Sequence, residues 1–139
     1  MKRASDPRFA LLSIALACAG AAQAQTGMTS NEYSAAKDRI EADYKAAKAA
    51  CDRLSGNAKD ICEADAKGKE KVAKAELDHR RSGTAADGRK VMETKAEAAY
   101  EVAKERCDDM SGDQKDACQK QAKATEARMK ADAKAAAAR

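Results

Sequence analysis

Four regularly spaced cysteines are the residues of this sequence with the clearest potential for chemistry. Ten residues separate Cys51 from Cys62, and ten separate Cys107 from Cys118. A zinc knuckle usually places about two to four residues between its cysteines, and dithiol catalysts use Cys-x-x-Cys at the start of a helix. The spacing therefore favours disulfide bonds over the alternative hypothesis of a cysteine-based metal or redox site.

The four cysteines allow three pairings, and the sequence favours the two local ones. Cys51 and Cys62 lie symmetrically about the Gly56-Asn57 junction, and the second pair has the same arrangement about its own glycine. Antiparallel helices leaving such a turn would bring the two sulfurs together. Each bridge would then stabilise the fold by about 3 kcal/mol in the loop-entropy model. Bridges between the two segments, or between two chains, remain open at this point.

No other side chains form a recognisable catalytic set. His79 stands beside two arginines at the end of a predicted helix, where positive charge interacts favourably with the helix dipole, so we interpret it as a solvated C-terminal cap. No nucleophile with an orienting partner is recognisable near it. Three carboxylates interpreted as solvated helix charges are Asp52, Asp108 and Asp109. We therefore predict no enzymatic activity, no catalytic residues, no metal and no cofactor.

The cysteine motif occurs twice, at an offset of 56 residues. Tyr44 aligns with Tyr100, and both copies read Tyr, six residues, then Cys-Asp-x-[Leu/Met]-Ser-Gly-x-x-Lys-Asp-x-Cys. A match of this length indicates a tandem duplication. Between the copies, Ser82–Gly88 contains two glycines and an aspartate, which predicts a loop.

The segments around the cysteines have the periodicity of amphipathic helices. The apolar, aromatic and cysteine residues of the first segment recur every three or four positions, at Tyr33, Ala36, Ile40, Tyr44, Ala47, Cys51 and Leu54. The corresponding positions of the second segment are Met92, Ala96, Tyr100, Ala103, Cys107 and Met110. Each copy is thus predicted to form a helix, a tight turn and a second helix.

Several single residues predict where these helices begin, end or weaken. Thr29 and Glu32 fit a capping box at the start of the first helix. Gly56 predicts its left-handed end, and Asn57 predicts a cap for the next helix, a role that Asp113 would have in the second copy. Glycine within a helix lowers its stability by about 1 kcal/mol relative to alanine, so we expect the second helix, which contains Gly68, to be the least stable.

The first 24 residues have the organisation of a secretory signal peptide. Basic residues precede the apolar run from Phe9 to Ala22, and Ala22-Gln23-Ala24 fits the small-x-small cleavage pattern. The run is shorter than the roughly 20 residues that a spanning helix needs, so no transmembrane helix is expected after cleavage. Cleavage would also remove Cys18 and leave an even set of four cysteines, as disulfides in an exported protein require.

The composition argues against a large core and against nucleic-acid binding. The chain has 27 Lys and Arg against 23 Asp and Glu, one Phe and no Trp, and only seven Leu, Ile, Val or Phe residues follow residue 24. A chain so poor in large apolar residues does not normally build a deep core. The basic, alanine-rich tail, Lys123–Arg139, lacks both an apolar membrane-binding face and a dense basic stripe, so we interpret it as a frayed, solvated helix.

The paired motifs, Cys-Asp-Arg-Leu-Ser-Gly-Asn-Ala-Lys-Asp-Ile-Cys and Cys-Asp-Asp-Met-Ser-Gly-Asp-Gln-Lys-Asp-Ala-Cys, carry a resemblance over about residues 31–135. The chain resembles uncharacterised exported Ala/Lys-rich repeat proteins of Gram-negative bacteria, which are sometimes labelled cell-envelope TolA-like. The resemblance implies a periplasmic location and brings no catalytic residues with it.

These observations predict an elongated all-α protein of two tandem helical hairpins, each with one internal disulfide. The expected organisation is a signal peptide at 1–24, a first hairpin at 25–81, a linker at 82–88 and a second hairpin with the basic tail at 89–139. We expect a non-enzymatic structural or protein-interaction protein of the periplasm that binds an envelope protein or itself. The alternative is a stress-protective, LEA-like or chaperone-like solute protein, which would be largely disordered in dilute solution.

Overall fold

The computed structural model describes residues 27–137 as four α-helices. They are α1 (Ser30–Cys51), α2 (Gly56–Ser82), α3 (Ala85–Cys107) and α4 (Gly112–Ala137). The lengths of 22 to 27 residues correspond to rods of about 33–40 Å at 1.5 Å per residue. The predicted signal peptide, residues 1–24, lies outside the described residues.

The helices form a row in which each packs only against its neighbours in the chain. Within the described residues α1 contacts α2, α2 contacts α3 and α3 contacts α4, whereas no contacts join α1 to α3 or α4, or α2 to α4. Together with the short connections, this order gives two hairpins, α1–α2 and α3–α4, that meet through α2 and α3. The predicted all-α architecture of two hairpins is confirmed.

The start of α1 is fixed by the predicted capping box. The Thr29 hydroxyl accepts from the Glu32 backbone N–H at 3.2 Å, and the Thr29 backbone N–H donates to the Glu32 carboxylate at 2.8 Å. These bonds satisfy amides that have no partner inside the helix. Donation from Thr29 also lowers the pKa of the Glu32 carboxyl below its ordinary value of 4.5.

The connection between the hairpins is shorter than predicted. A loop was expected over Ser82–Gly88, but only Gly83 and Thr84 lie between α2 and α3. Gly83 ends α2 at φ 65°, and the Thr84 hydroxyl accepts from the Asp87 backbone N–H at 3.1 Å to begin α3. The prediction was wrong because the Thr84-x-x-Asp87 cap starts the helix before Gly88, which lies within α3.

The core is narrow and consists largely of small side chains. The most deeply buried residues are Cys51, Leu77, Ala96, Cys107 and Ala133, each at most 1% exposed. Of the residues whose periodicity predicted a buried helix face, Ala96, Cys51 and Cys107 are buried. The prediction is wrong at Leu54, Met92 and Met110, which are 41–45% exposed, and at Ala47, which is also exposed. Leu54 and Met110 are exposed because α1 and α3 end at Cys51 and Cys107, before the periodicity would place these residues on a buried face.

The contact between α2 and α3 joins the two hairpins. Gly68 is buried on α2 and faces Ala98 on α3, where the two backbones lie close together. Farther along the same pair of helices, the Lys95 ammonium lies 2.7 Å from the Glu76 carboxylate. Gly68 was expected to weaken its helix, and the structure shows that it also provides the space for this contact.

Candidate functional site

The turn within each hairpin has the same backbone geometry. Gly56 and Gly112 adopt φ values of 57° and 56°, a left-handed region that disfavours side chains with a Cβ. The prediction of left-handed backbone at Gly56 is confirmed, but α1 ends at Cys51, five residues earlier, and Gly56 is the first residue of α2. The segment between Cys51 and Gly56 therefore forms the turn.

Asn57 does not act as the predicted cap of α2. Ser55 occupies the N-cap position without a side-chain hydrogen bond, and the Asn57 side-chain amide donates instead to the Glu105 carbonyl at 2.8 Å. Glu105 belongs to the last turn of α3, and its carbonyl also accepts from the Asp108 backbone N–H at 3.1 Å. Asn57 thus connects the two hairpins, a role that only the tertiary packing reveals.

The four cysteines form two disulfides, and each joins the two helices of one hairpin. Cys51 bonds to Cys62 and Cys107 bonds to Cys118, with a Cα–Cα distance of 5.6 Å in both. The local pairing predicted from the spacing is confirmed. Cys51 and Cys107, at the ends of α1 and α3, are fully buried, whereas Cys62 and Cys118 are half-buried. The disulfides are therefore part of the narrow core of the hairpins.

An ion pair spans each disulfide-closed turn. The Lys59 ammonium lies 3.0 Å from the Asp52 carboxylate, and the Lys115 ammonium lies 2.9 Å from that of Asp108. The neighbouring Asp52 carboxylate raises the pKa of Lys59. Asp52 and Asp108 were interpreted as solvated charges, and both are exposed; the ion pair that each makes across the turn was not predicted. Asp109 is exposed, in agreement with its interpretation.

The signal for these ion pairs was present in the sequence. The aspartate after the first cysteine and the lysine seven residues later occur in both copies of the motif. Sequence reasoning treated each charge separately and missed the pairing, because seven residues within one straight helix would not join them. The left-handed turn brings them together by reversing the direction of the chain.

His79 is partly buried rather than solvated. Its ring packs over Gly88 of α3, and its Cε1 atom lies 3.2 Å from the position that a Gly88 Cβ would occupy. Its Nδ1 atom is buried and has no hydrogen-bond partner within residues 27–137. The predicted place of His79 in the last turn of α2 is confirmed, but its ring is not solvated, because the two-residue connection brings the start of α3 against the end of α2.

A polar cluster closes the open end of the first hairpin, opposite its disulfide. The Tyr33 hydroxyl donates to the Asp78 carboxylate at 2.7 Å, and the Arg81 guanidinium lies 4.5 Å from the centre of the Tyr33 ring. The bond to Asp78 raises the pKa of the Tyr33 hydroxyl. The corresponding positions of the second hairpin are Arg89 and Lys134, which carry charges of the same sign.

The basic tail forms the end of α4 and contacts α3. Helix α4 continues to Ala137, and the Lys130 ammonium lies 2.9 Å from the Glu97 carboxylate of α3 and 2.8 Å from that of Glu126. These two carboxylates raise the pKa of Lys130. The tail was interpreted as a frayed helix, but up to Ala137 it is helical and held against α3.

Two open grooves run along the α2–α3 contact. One has a volume of about 520 Å³, is bordered also by Tyr44 and Lys48 of α1, and is lined by charged residues that include Asp60, Lys71 and Glu101. The other, of about 440 Å³, has an apolar floor that includes Val72 and Val102 and a charged rim. Both grooves are open along one side, unlike the concave, largely enclosed pockets in which small molecules usually bind.

The described part of the chain contains neither a candidate metal site nor a helix that could cross a membrane. Among residues 27–137, no group of three or more His, Cys, Asp or Glu side chains is placed to hold a metal ion. None of the helices there combines the length and the apolar character needed to span a bilayer. In the comparisons with known proteins, no family model, curated protein or solved structure matches the chain.

Proposed function

We propose that this protein is a non-enzymatic structural or protein-interaction protein of the periplasm, exported by residues 1–24. The single observation that supports this role best is the covalent closure of both hairpin turns, at Cys51–Cys62 and Cys107–Cys118. Disulfides persist in oxidising compartments, and small exported domains with little apolar core use them for stability.

The arrangement of the helices supports an interaction role. Since each helix packs only against its chain neighbours, α1 and α4 both keep a long side free of contacts with the rest of the described chain. The two grooves along α2 and α3 add further open surface. A row of helices closed by disulfides offers extended surfaces to a partner and holds them in a fixed relationship.

The proposal is tested by export and crosslinking in a Gram-negative host. The full chain, tagged at its C-terminus, is expressed, and the periplasmic fraction is treated with a lysine-reactive crosslinker. We expect a mature protein that begins at Gln25, contains both disulfides and forms crosslinked adducts with an envelope component or with itself. A tagged periplasmic protein of similar lysine content serves as the control for random crosslinking.

Two results would overturn the proposal. One is recovery of the chain with residues 1–24 still attached and with reduced cysteines. The other is an adduct pattern no different from that of the control protein. In addition, weak helical circular dichroism of the purified protein in dilute buffer would favour the stress-protective alternative.

A further inference from the structure

The outer sides of α1 and α4 correspond to the two helix faces that already pack together inside the molecule. At the 56-residue offset, α1 aligns with α3 and α4 aligns with α2. Helix α3 packs against α2, so the α1 side that corresponds to this α3 face is left without a neighbour, as is the corresponding side of α4. The contact between the hairpins is therefore a template for a contact between chains.

We infer that the chain associates with further copies of itself through these two faces, α4 of one copy packing antiparallel against α1 of the next. This inference rests on the proposed interaction role and names its partner as a second copy of the chain. The contact is heterologous because it uses two different faces of each molecule. Each copy then keeps a free α1 face at one end and a free α4 face at the other, so the row of helices can continue.

The charges on the two faces are complementary. In the template, Glu76 of α2 and Lys95 of α3 form an ion pair of 2.7 Å. The corresponding residues are Asp132 on α4 and Arg39 on α1, so opposite charges meet again. Arginine is longer than lysine and aspartate is one methylene shorter than glutamate, so the changes in length offset each other.

A second complementary pair lies one helical turn away. Val72 and Ala99 line the apolar groove of the template, four residues from Glu76 and Lys95 respectively. Their counterparts are Arg128 on α4 and Asp43 on α1, again of opposite charge. In an antiparallel contact, Arg39 would meet Asp132 of the next copy while Asp43 meets its Arg128.

These four charged residues are available for such a contact. Arg39, Asp43, Arg128 and Asp132 are all exposed. Within residues 27–137, none of them takes part in an ion pair. The rest of the α1 face is made of exposed alanines, among them Ala42, the counterpart of Ala98, whereas the rest of the α4 face carries Gln121, Ala124 and Thr125. Small side chains allow two helices to approach while the charged pairs set their register.

The contact between chains differs from the template at one position. Ala124 corresponds to Gly68, and a Cβ at Gly68 would lie 2.9 Å from that of Ala98. The α4 and α1 faces must therefore pack farther apart than α2 and α3. We expect an association that is weak, driven largely by charge and reduced by salt.

The test measures the weight-average mass of the purified protein, with both disulfides formed, by sedimentation at low salt. The mass of the wild type is expected to rise above that of one chain between about 10 μM and 1 mM, the range of a weak complex. The variants Arg39→Asp and Asp132→Arg should each lower the association constant by about tenfold or more, because like charges then face each other. The control Lys37→Asp reverses an exposed charge on the opposite side of α1 and should associate as the wild type does.

Restoring the charge pair provides the decisive measurement. In a mixture of Arg39→Asp and Asp132→Arg, opposite charges face each other wherever the two variants alternate, so the mixture should associate more strongly than either variant alone. A wild type that remains a single chain at 1 mM would overturn the inference, and so would equal association of Arg39→Asp and Lys37→Asp. This measurement uses purified protein. A negative result would therefore overturn the self-association inference without deciding the export and crosslinking test of the proposed function.

Discussion

Gly68 of α2 and Ala98 of α3 face each other so closely that a side chain on residue 68 would have no room. A Cβ built on Gly68 would lie 2.9 Å from the Ala98 Cβ and 3.5 Å from its Cα. Both of these atoms are held by the α3 backbone and cannot rotate away. Glycine costs about 1 kcal/mol in a helix relative to alanine, and here it permits the closest approach of the two hairpins.

We expect Gly68→Ala to lower the free energy of unfolding by about 1 kcal/mol, despite the higher helix propensity of alanine. Overpacking costs about 1–3 kcal/mol, which exceeds the gain of about 1 kcal/mol in propensity. Urea unfolding followed by circular dichroism measures the difference. The double variant Gly68→Ala/Ala98→Gly removes the opposing methyl group and should recover part of the loss. A single variant more stable than the wild type would show that α2 and α3 lie farther apart.

The disulfides are expected to provide a large part of the stability, because the core between the helices is narrow. Replacing Cys51 and Cys62 by alanine opens a loop with a sequence separation of 11. The loop-entropy model gives a loss of about 3 kcal/mol. Urea unfolding of this variant and of the wild type in reductant separates the covalent effect from the packing of the cysteine side chains. Unchanged unfolding in both cases would contradict the role of the disulfides.

The disulfide-closed turns were predictable because their determinants are local and occur twice in the sequence. The cysteine spacing and the glycine between the cysteines predicted each hairpin, and Thr29 with Glu32 predicted the start of α1. Each of these signals acts within about a dozen residues, so the periodicity and turn chemistry of one segment suffice to read it.

The contacts between the hairpins could not be predicted in this way. Gly68 reads as a weak point of a helix until Ala98 is known to lie opposite, and Asn57 reads as a cap until the Glu105 carbonyl is found beside it. His79 reads as solvated until the short connection places Gly88 against its ring. All three depend on how α2 packs against α3, and helix periodicity does not define which residues of two helices meet.

The ion pairs across the turns are expected to contribute little, because they are exposed. The Asp52 side chain is 60% exposed and that of Lys59 is 37% exposed. Exposed pairs gain little from their attraction and are screened by salt. Lys59→Met removes this pair together with the longer pair to Glu63 within α2, at 3.8 Å, and should lower the midpoint of thermal unfolding slightly in dilute buffer and not at all in 1 M NaCl. Lys69→Met, which removes a pair within one helix rather than across the turn, is the matched comparison. A large loss that persists in high salt would show that the pair fixes the geometry of the turn.

The two helix caps should make stability fall in acid. The Thr29 N–H lowers the pKa of the Glu32 carboxyl below 4.5, and the hydroxyls of Ser82 and Thr84 lower the pKa of Asp87 below 3.8. A lowered pKa in the folded protein adds stability above the ordinary value, and this stability is lost as the pH falls through the lowered pKa. The thermal midpoint should therefore decrease below about pH 4.5.

Substitution can separate the contribution of the two caps to acid sensitivity from that of the other carboxyl groups. The double variant Glu32→Gln/Asp87→Asn should be less stable than the wild type at pH 7 and should lose less on acidification. The thermal midpoint measured between pH 7 and pH 3 gives both quantities. Asp109→Asn removes an exposed carboxylate outside the caps and should follow the wild-type curve. Parallel curves for the wild type and the double variant would refute the role of the caps.

The open ends of the two hairpins should differ in their dynamics. At the first, Tyr33, Asp78 and Arg81 join the start of α1 to the end of α2. At the second, Arg89 and Lys134 occupy the positions that correspond to Tyr33 and Asp78, and their like charges cannot form such a contact. Amide hydrogen exchange should therefore be slower in the first turns of α1 that follow its cap than in the last turns of α4 before Ala137.

The contribution of the Tyr33 hydroxyl can be measured by removing that one oxygen atom. Tyr33→Phe removes the bond to Asp78 and leaves the ring beneath Arg81, so exchange near the start of α1 should become several-fold faster while exchange in α4 is unchanged. Tyr44→Phe removes a hydroxyl from a half-buried tyrosine of the same helix that is not part of this cluster, and should leave exchange near Tyr33 as in the wild type. If both variants exchange alike, the hydrogen bond to Asp78 does not hold α1 to α2, and the slow exchange of this end must come from the packing of the Tyr33 ring.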